Sequence, residues 1–346
     1  MEMTDNQLKA MQLRNYQAMP LGAKIRRSEE LIRQALEHYN DMMYIALSGG
    51  KDSCVTADIV WSIDPAIPAV FCDTGNELQS VLDHVRSMIE AGKPIIVIKP
   101  AKSFWEIVEE EGWPILSKNI CMGISRFVRT KSMLQKKLRA FGGINPTSGK
   151  KQQATIPKKF HYVLRAVLAG KLKTTNKCCG YLKIHPTKPY EKETGRKPFV
   201  GTMAAESKNR FESYLKNGCN AFDSGASRPI MFWTEQDILQ YHLDKNLPLA
   251  SAYGEIKERN GELYCTDCQR TGCKFCMFGV HLEKGENRIQ YLARAEPESH
   301  ADFIAHGGDK VMDYIGVDWR PFKEPDVQTD MFDARYEIDV KELHGE

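Results

Sequence analysis

The sequence predicts an α/β protein with a doubly wound, mostly parallel sheet, a helical basic insert and a Cys-rich C-terminal segment. Short apolar runs at residues 42–47, 67–72 and 94–98 have the length of buried strands. Segments with apolar residues at helical spacing follow the first two runs. Because strands that alternate with helices are joined by right-handed crossovers, this order predicts parallel neighbours.

The remaining elements follow in chain order. Residues 3–39 are rich in helix-forming side chains and predict N-terminal helices. Residues 124–141 and 160–168 predict helices separated by a flexible loop, residues 197–202 predict a strand, and Thr234 is placed to cap a helix. We therefore divide the chain into N-terminal helices (1–40), a nucleotide-binding domain (41–245) with a basic insert at about 118–177, and a Cys-rich segment with a helical tail (246–346).

Charge is distributed unevenly along the chain. The 346 residues have a formal net charge of +3, but no Asp or Glu occurs between Gly112 and Tyr190, where seventeen Lys and Arg lie. All 45 acidic residues belong to the rest of the chain. Such segregation indicates a surface that faces a polyanion.

The composition argues against export and membrane insertion. The N-terminal residues lack the basic cap and apolar run of a secretion signal, and no stretch approaches the roughly 18 apolar residues of a membrane span. Ten cysteines in such a chain favour a reducing compartment, with metal or redox chemistry rather than disulfides. We expect a cytoplasmic protein without a membrane partner, and homo-oligomerisation stays open.

A glycine-rich turn, which we call the phosphate loop, joins the first predicted strand to the next helix. It consists of Ser48, Gly49, Gly50, Lys51, Asp52 and Ser53. Such a turn points backbone N–H groups at one spot, and the helix dipole favours an anion there. The glycines permit positive φ angles and Lys51 supplies a cation. Since the Walker spacing is absent, we predict a pyrophosphate-binding loop unlike that of kinases and GTPases.

This loop resembles the signature of the ATP-pyrophosphatase (PP-loop) superfamily, whose members have an adenine nucleotide α-hydrolase-like fold and cleave ATP between the α and β phosphates. Further motifs resemble its phosphoadenosine phosphosulfate (PAPS) reductase branch, in the same order: FCDTGNE (71–77), CCGYLKIHP (178–186), GTMAAESKNR (201–210) and RPIMFWTEQDI (228–238). The resemblance extends from about residue 40 to 280. In character it is closest to the ATP pyrophosphatases of DNA phosphorothioation systems.

The resemblance implies a nucleotide site for ATP and Mg²⁺. Besides the phosphate loop, the implied binding residues are Asp73, Thr74, Gly75, Gly201, Glu206, Ser207 and Arg210. Lys51, Asp52, Asp73 and Arg210 are expected to act in catalysis, with Asp73 binding Mg²⁺ or the ribose. The assignment agrees with the rule that the carboxyl ends of strands meet at the ligand crevice of an open α/β sheet.

Six cysteines lie in two clusters, the pair Cys178 and Cys179 and the two C-x-x-C units Cys265/Cys268 and Cys273/Cys276. Four thiolates suit either Zn²⁺ or an iron–sulfur cluster. One interpretation is a structural Zn²⁺ held by the two C-x-x-C units. The other follows a resemblance to adenylylsulfate (APS) reductases, which bind a [4Fe–4S] cluster through a Cys-Cys pair and a later C-x-x-C. That pattern matches Cys178, Cys179, Cys273 and Cys276, and leaves Cys265 and Cys268 as sulfur carriers, a redox pair or alternative ligands.

The sequence departs from the reductases of this family in one respect. Those enzymes attack the sulfonucleotide with a cysteine in a C-terminal Glu-Cys-Gly-Ile/Leu-His type motif, whereas no cysteine follows Cys276 here. We therefore rank sulfonucleotide reduction below ATP cleavage.

The basic insert contains more cations than one nucleotide needs, and it suits a nucleic-acid backbone with Phe127, Phe160, His161 and Tyr162 available for stacking. We expect an enzyme that adenylates DNA or tRNA with release of pyrophosphate, for insertion of sulfur that a cysteine desulfurase supplies. Two alternatives stay open. One is an APS or PAPS reductase-type enzyme, and the other is a non-catalytic nucleotide- or nucleic-acid-binding module with a structural metal.

Overall fold

A computed structural model describes residues 4–323 and shows the alternation of helices and strands that the sequence predicts. The helices are α1 (Asp5–Gln17), α2 (Leu21–His38), α3 (Lys51–Ile63), α4 (Gln79–Glu90), α5 (Phe104–Glu111), α6 (Lys118–Arg129), α7 (Met133–Phe141), α8 (His161–Leu168), α9 (Thr187–Thr194), α10 (Lys208–Asn217), α11 (Glu235–Asp244), α12 (Arg288–Ala295), α13 (Pro297–Ala305) and α14 (Gly308–Ile315). The strands are β1 (Met43–Leu47), β2 (Ala69–Cys72), β3 (Ile95–Ile98), β4 (Ile115–Leu116), β5 (Gly143–Ile144), β6 (Lys151–Gln152), β7 (Lys197–Val200), β8 (Asn220–Ala221), β9 (Ala226–Ser227), β10 (Ile256–Arg259), β11 (Glu262–Cys265) and β12 (Met277–Phe278).

The central sheet has the strand order β3-β2-β1-β7-β9-β8. Neighbouring strands from β3 to β9 are parallel, and only the edge strand β8 pairs antiparallel. The α/β class and the mostly parallel sheet are therefore confirmed. The strand order reverses at β1, which lies between β2 and β7. Ligands of open α/β sheets bind at such a switch point, so the fold directs attention to the carboxyl end of β1.

Helix α3 packs against α2 on one side and against β1 and β7 on the other. Ile32, Ile59 and Phe199 from these elements are fully buried in one hydrophobic cluster. The predicted cap of α11 is confirmed, since the Thr234 hydroxyl accepts a hydrogen bond from the Asp237 backbone N–H. Because α3 is fixed on several sides, the phosphate loop at its first turn has a rigid support.

The basic insert is more ordered than the sequence predicts. The helical stretch breaks at residues 130–132, where the Ser132 hydroxyl caps α7 by accepting a hydrogen bond from the Gln135 backbone N–H. The sequence predicts a flexible loop at residues 142–159. This prediction is wrong for part of the segment, because β5 and β6 form an antiparallel hairpin there. Gly142 starts this hairpin with φ +72°, and a Cβ there would lie 2.9 Å from the carbonyl oxygen of Gln152.

The Cys-rich segment is held by two pairings that the sequence does not reveal. Strands β10 and β11 form an antiparallel hairpin before it. After it, β12 pairs in parallel with β4, with Met277 opposite Ile115 and Phe278 opposite Leu116. The second C-x-x-C unit is therefore fixed beside the start of the basic insert.

The chain forms two compact units, the first ending at His281 and the second beginning at Leu282. The Cys-rich segment thus belongs to the first unit, although the sequence boundary at residue 245 grouped it with the tail. In the second unit, α12 to α14 bury Ile289, Leu292 and Phe303. Among residues 4–323, no helix combines the length and apolarity that a membrane crossing requires.

Candidate active site

The phosphate loop leaves the carboxyl end of β1 and enters α3, with Gly50 as the N-cap residue. Gly49 has φ +71°, and a Cβ there would lie 2.7 Å from Cγ1 of Val81, so a larger residue is strained and obstructed. The Ser53 hydroxyl donates to the Gly50 carbonyl at 2.8 Å and accepts from the Ser48 backbone N–H at 3.2 Å. These bonds close the loop around the first turn of α3.

A polar cavity of about 160 Å³ opens at this turn. The phosphate loop contributes Ser48, Gly50, Lys51, Asp52 and Ser53, the 201–210 motif contributes Gly201, Glu206 and Arg210, and the C-terminal part of the first unit contributes Tyr253, Arg270 and Thr271. Pockets for whole small-molecule ligands have volumes of roughly 300 Å³ or more. The size therefore matches a diphosphate group rather than an entire nucleotide.

Lys51 is buried at this cavity and stays charged. Its Nζ donates to the Gln269 carbonyl at 2.9 Å and lies 3.0 Å from a carboxylate oxygen of Glu235. Burial acts to lower the pKa of Lys51, but Asp52, Tyr253 and Glu235 outweigh it, so the pKa is raised. An ammonium group is thereby held at the helix N-terminus where an anion is favoured.

Two arginines share one carboxylate on the other side of the cavity. Glu206, which is largely buried, forms ion pairs with both Arg210 and Arg270. Burial lowers the pKa of Arg210, and the neighbouring Arg270 lowers it further. Because two guanidinium groups face a single carboxylate, the pair retains positive charge for an incoming anion.

Three lining residues were missed by the sequence analysis. The Tyr253 hydroxyl accepts a hydrogen bond from the Lys51 backbone N–H at 3.2 Å and lies 2.8 Å from the Thr271 hydroxyl. Arg270 and Thr271 stand between the two C-x-x-C units. The position of a basic residue and a hydroxyl residue between two cysteine pairs could have marked them as candidate site residues. Nothing in the sequence, however, links these two residues to the phosphate loop.

Some predicted nucleotide-binding residues lie outside the lining of this cavity. Asp73, Thr74 and Gly75 follow β2, where Oδ1 of Asp73 accepts a hydrogen bond from the Gly75 backbone N–H at 3.1 Å. The Thr74 hydroxyl bonds to Glu77. Ser207 caps α10 and accepts from the Arg210 backbone N–H, so it orients the helix that carries Arg210.

The 71–77 motif reaches the second C-x-x-C unit. The Asn76 backbone carbonyl accepts from the Lys274 backbone N–H at 2.7 Å, and its side-chain oxygen accepts from the Phe275 backbone N–H at 3.1 Å. Glu77 lies 3.5 Å from Nζ of Lys183, which in turn hydrogen-bonds to Cys273. Asn76 and Glu77 therefore position the cysteine-bearing backbone and the cation beside it.

Four of the predicted metal ligands lie in one neighbourhood, which we call the thiol cluster: Cys178, Cys179, Cys273 and Cys276. The Cys178 and Cys179 thiols are hydrogen-bonded to each other, which raises the pKa of Cys178 and lowers that of Cys179. Burial raises the pKa of Cys273 to about 12, with Lys183 opposing and Cys276 adding to the shift. Within residues 4–323, no three His, Cys, Asp or Glu side chains are arranged as ligands of a metal ion.

Cys265 belongs to a different environment. Burial raises its pKa, and the charges that influence it are those of Lys51, Glu235 and Asp52 rather than other thiols. Its carbonyl accepts from the Gln269 side chain at 2.7 Å. The first C-x-x-C unit therefore borders the phosphate loop, and the second belongs to the thiol cluster.

A doubly wound sheet with this glycine turn at its switch point defines an α/β protein with a PP-loop. Residues 42–157 and 150–277 match the phosphoadenosine phosphosulfate reductase domain family. Because these matches cover more than half of the chain, the protein belongs to this family and thereby to the PP-loop superfamily.

Other similarities are more limited. Two uncharacterized proteins of Methanocaldococcus jannaschii are 29% identical over 96 residues and 31% identical over 106 residues, which is 28% and 30% of this chain. The matched segments span 23% and 22% of those relatives. A phosphoadenylyl-sulfate (PAPS) reductase from Candida auris, solved as a phosphate complex, aligns over 76% of this chain and 98% of its own, with 13% identity and a TM-score of 0.37.

Proposed function

We propose that the protein is an ATP pyrophosphatase that adenylates a nucleic-acid substrate for sulfur insertion. The observation that carries the proposal is the diphosphate-sized cavity at the end of β1, where Lys51, Arg210 and Arg270 converge. Pyrophosphate is the group that leaves when ATP is cleaved between its α and β phosphates. Membership of the PAPS reductase family supports a nucleotide substrate but does not choose between ATP and a sulfonucleotide.

In the proposed reaction, a substrate oxygen attacks the α-phosphorus of ATP. The bond from that phosphorus to the α,β-bridging oxygen breaks, and its electron pair leaves with pyrophosphate. Lys51 and the N–H groups at the start of α3 stabilise the negative charge that develops there. A sulfur nucleophile, for which we propose a cysteine desulfurase as the source, then attacks the substrate atom that bears the adenylated oxygen. The bond from that atom to the oxygen breaks, and the oxygen leaves with AMP.

The Asp52 carboxylate of the cavity fits Mg²⁺. Oδ1 of Asp52 is buried and has no hydrogen-bond partner among the described residues, and Nζ of Lys51 is 3.9 Å away. Mg²⁺ is usually bound through one or two carboxylates together with substrate phosphates. We propose that Asp52 holds Mg²⁺, which when bound neutralises charge on the phosphate chain.

We propose a [4Fe–4S] cluster in preference to the zinc interpretation, although the cysteines of the thiol cluster are not arranged around a metal ion in the described part of the chain. A zinc ion shared by both C-x-x-C units requires Cys265 to lie beside Cys273. The pKa of Cys265 is affected by the charge of Lys51, whereas the pKa of Cys273 is affected by Cys276 and Cys179. Lys183 hydrogen-bonds to Cys273 and opposes the rise in the pKa of Cys273 that burial causes. We propose Cys178, Cys179, Cys273 and Cys276 as ligands, with the bound cluster supplying a sulfur-holding or redox centre.

Replacing Cys276 by Ser tests this assignment. We expect the iron and sulfide content of anaerobically purified protein to fall roughly tenfold or more, since one of four ligands is lost. Cys219→Ser is the matched control, because the charges that affect Cys219 belong to Arg27 and Arg228 rather than to other thiols. Zinc that is lost in both Cys265→Ser and Cys276→Ser would instead support the two C-x-x-C units as a zinc site.

The nucleic-acid partner is proposed from the charge of the basic insert. Lys150, Lys151, Lys158 and Lys159 lie on or beside the β5–β6 hairpin, and none forms an ion pair with a described carboxylate. Cations that are not paired with carboxylates remain available for phosphate groups of DNA or tRNA.

One experiment separates the candidate functions. The protein is incubated with ATP in the presence of duplex DNA, tRNA or neither, and in parallel with APS or PAPS plus thioredoxin. We expect pyrophosphate from ATP, with nucleic acid increasing the rate, and the AMP moiety attached to the nucleic acid or released from it by hydrolysis. Sulfite from APS or PAPS without cleavage of ATP would establish the reductase alternative, and the absence of every product would favour a binding module.

A further inference from the structure

We infer that a groove between α7 and α8 of the basic insert is a docking site for an acidic, amphipathic helix of a partner protein. The groove has a volume of about 620 Å³ and lies outside the phosphate cavity. Among its lining residues, Ala140 and Leu164 are buried. The inference rests on the insert alone and stands independently of the proposed ATP chemistry.

Several exposed apolar side chains are grouped around the groove. Met133, Phe141 and Leu168 line it and are 74%, 64% and 56% exposed. Single exposed apolar residues are ordinary, but several around one concavity mark a binding surface. A partner that inserts apolar side chains would remove this surface from water.

The rim of the groove is positively charged and therefore favours an acidic partner. Lys136, Lys137 and Arg165 line it, and no described carboxylate forms an ion pair with any of them. No Asp or Glu occurs anywhere from Gly112 to Tyr190, so the insert cannot neutralise this rim from its own sequence. Carboxylates flanking the apolar residues of a partner would complement these cations.

Two of the three aromatic rings that line the groove, those of Phe127 and His161, already have partners within the chain, and Phe141 is the exposed one. The groove therefore offers few open ring faces to nucleobases. Nζ of Lys136 lies over the Phe127 ring, 5.6 Å from its centre. The rings of Phe141 and His161 meet edge to face at 5.3 Å, and Nε2 of His161 is 3.0 Å from the Ala140 carbonyl. Phe160, which we predicted from the sequence to be available for base stacking, is buried. Base stacking needs open ring faces, whereas aliphatic side chains need only the volume of the groove.

The concave shape favours a helix over a lipid surface. Membrane-bound proteins insert protruding apolar side chains into a flat interface. A groove instead receives side chains from its partner, and an amphipathic helix presents them at positions i, i+3, i+4 and i+7. An acidic flank on such a helix would lie against Lys136, Lys137 and Arg165.

The test uses the full chain and a fluorescent synthetic peptide. The probe is a helix-forming peptide of about 18 residues with Leu and Phe at i, i+3, i+4 and i+7 and Glu on the flanks. One control peptide has the same composition in scrambled order, and the other has Lys in place of Glu. By fluorescence anisotropy we expect the acidic amphipathic peptide to bind roughly tenfold tighter than either control.

Protein variants locate the binding surface. Phe141→Glu and Leu168→Glu are expected to weaken peptide binding roughly tenfold or more. Ile144→Glu is the control, because Ile144 is 69% exposed on the β5–β6 hairpin but does not line the groove. Since all three side chains are exposed, unchanged melting temperatures are expected. The double variant Lys136→Glu/Lys137→Glu should reverse the preference between the Glu and Lys peptides.

Three results would overturn the inference. The acidic peptide binds no more tightly than its controls, or Ile144→Glu weakens binding as much as Phe141→Glu. The third result is that Phe141→Glu and Leu168→Glu leave the affinity for the peptide unchanged but weaken binding of a single-stranded oligonucleotide or of anionic phospholipid vesicles. Such an outcome would reassign the groove to nucleic acid or to a membrane, and it would leave the ATP assay unchanged.

Discussion

Replacement of Lys51 by Ala is expected to lower the rate of pyrophosphate release from ATP by about 100- to 1000-fold. Lys51 places a buried ammonium at the helix N-terminus, where the charge of the leaving pyrophosphate develops in the proposed reaction. In such a buried site water does not replace the missing cation. The rate is measured with a coupled pyrophosphate assay under saturating ATP.

A matched variant separates this catalytic effect from a structural one. Glu235→Gln breaks the ion pair between Lys51 and Glu235 but keeps the ammonium, which still donates to the Gln269 carbonyl at 2.9 Å and lies 3.9 Å from Asp52. If the ion pair only supports the fold, both variants should lose similar activity. We expect Glu235→Gln to retain most of the turnover, and an equal loss in the two variants would remove Lys51 from the reaction.

Replacement of Gly201 by Ala is expected to open the phosphate cavity. A Cβ at this position would lie 2.7 Å from the Thr56 hydroxyl and 2.9 Å from the Asp52 carbonyl, both in the first turns of α3. Since the backbone atoms cannot move without shifting the phosphate loop, we expect about 1–3 kcal/mol of destabilisation. Pyrophosphate affinity should fall as well, measured by calorimetry alongside urea unfolding.

Gly22→Ala provides the control for this prediction. Gly22 lies in α2, and a Cβ there would meet only the end of the Arg26 side chain at 3.9 Å. Alanine at this helical position should therefore leave the stability unchanged or raise it. Equal unfolding midpoints for Gly201→Ala and Gly22→Ala would show that the close approach of Gly201 to α3 does not hold the cavity in shape.

The core of the fold was predictable because its signals are local. The apolar runs of β1, β2 and β3 and the helical periodicity of α3 and α4 specify a parallel sheet from neighbouring residues alone. Strand β12 has only two residues, and its pairing with β4 depends on a contact between distant parts of the chain. Such a strand has no periodicity of its own, so the sequence could not reveal it.

The site was predictable only where it belonged to a motif. Most of the phosphate loop lines the cavity together with Gly201, Glu206 and Arg210, and their role in binding a nucleotide stays a prediction. Tyr253 is 202 residues from Lys51 in the chain, and no local pattern marks it as a partner. The contacts of the 71–77 motif were not predictable from the sequence. Asn76 contacts the second C-x-x-C unit, and Glu77 contacts Lys183. The role of Asp73 in nucleotide binding stays a prediction.

The most direct test of the central claim is the identity of the products formed from ATP labelled at its α-phosphate. With DNA or tRNA present, we expect labelled AMP, or an adenylated nucleic acid that yields it, in amounts equal to the pyrophosphate released. Lys51→Ala should form neither product. Labelled ADP, or unchanged ATP in a preparation that forms sulfite from APS or PAPS, would contradict the assignment of this cavity to the pyrophosphate of ATP.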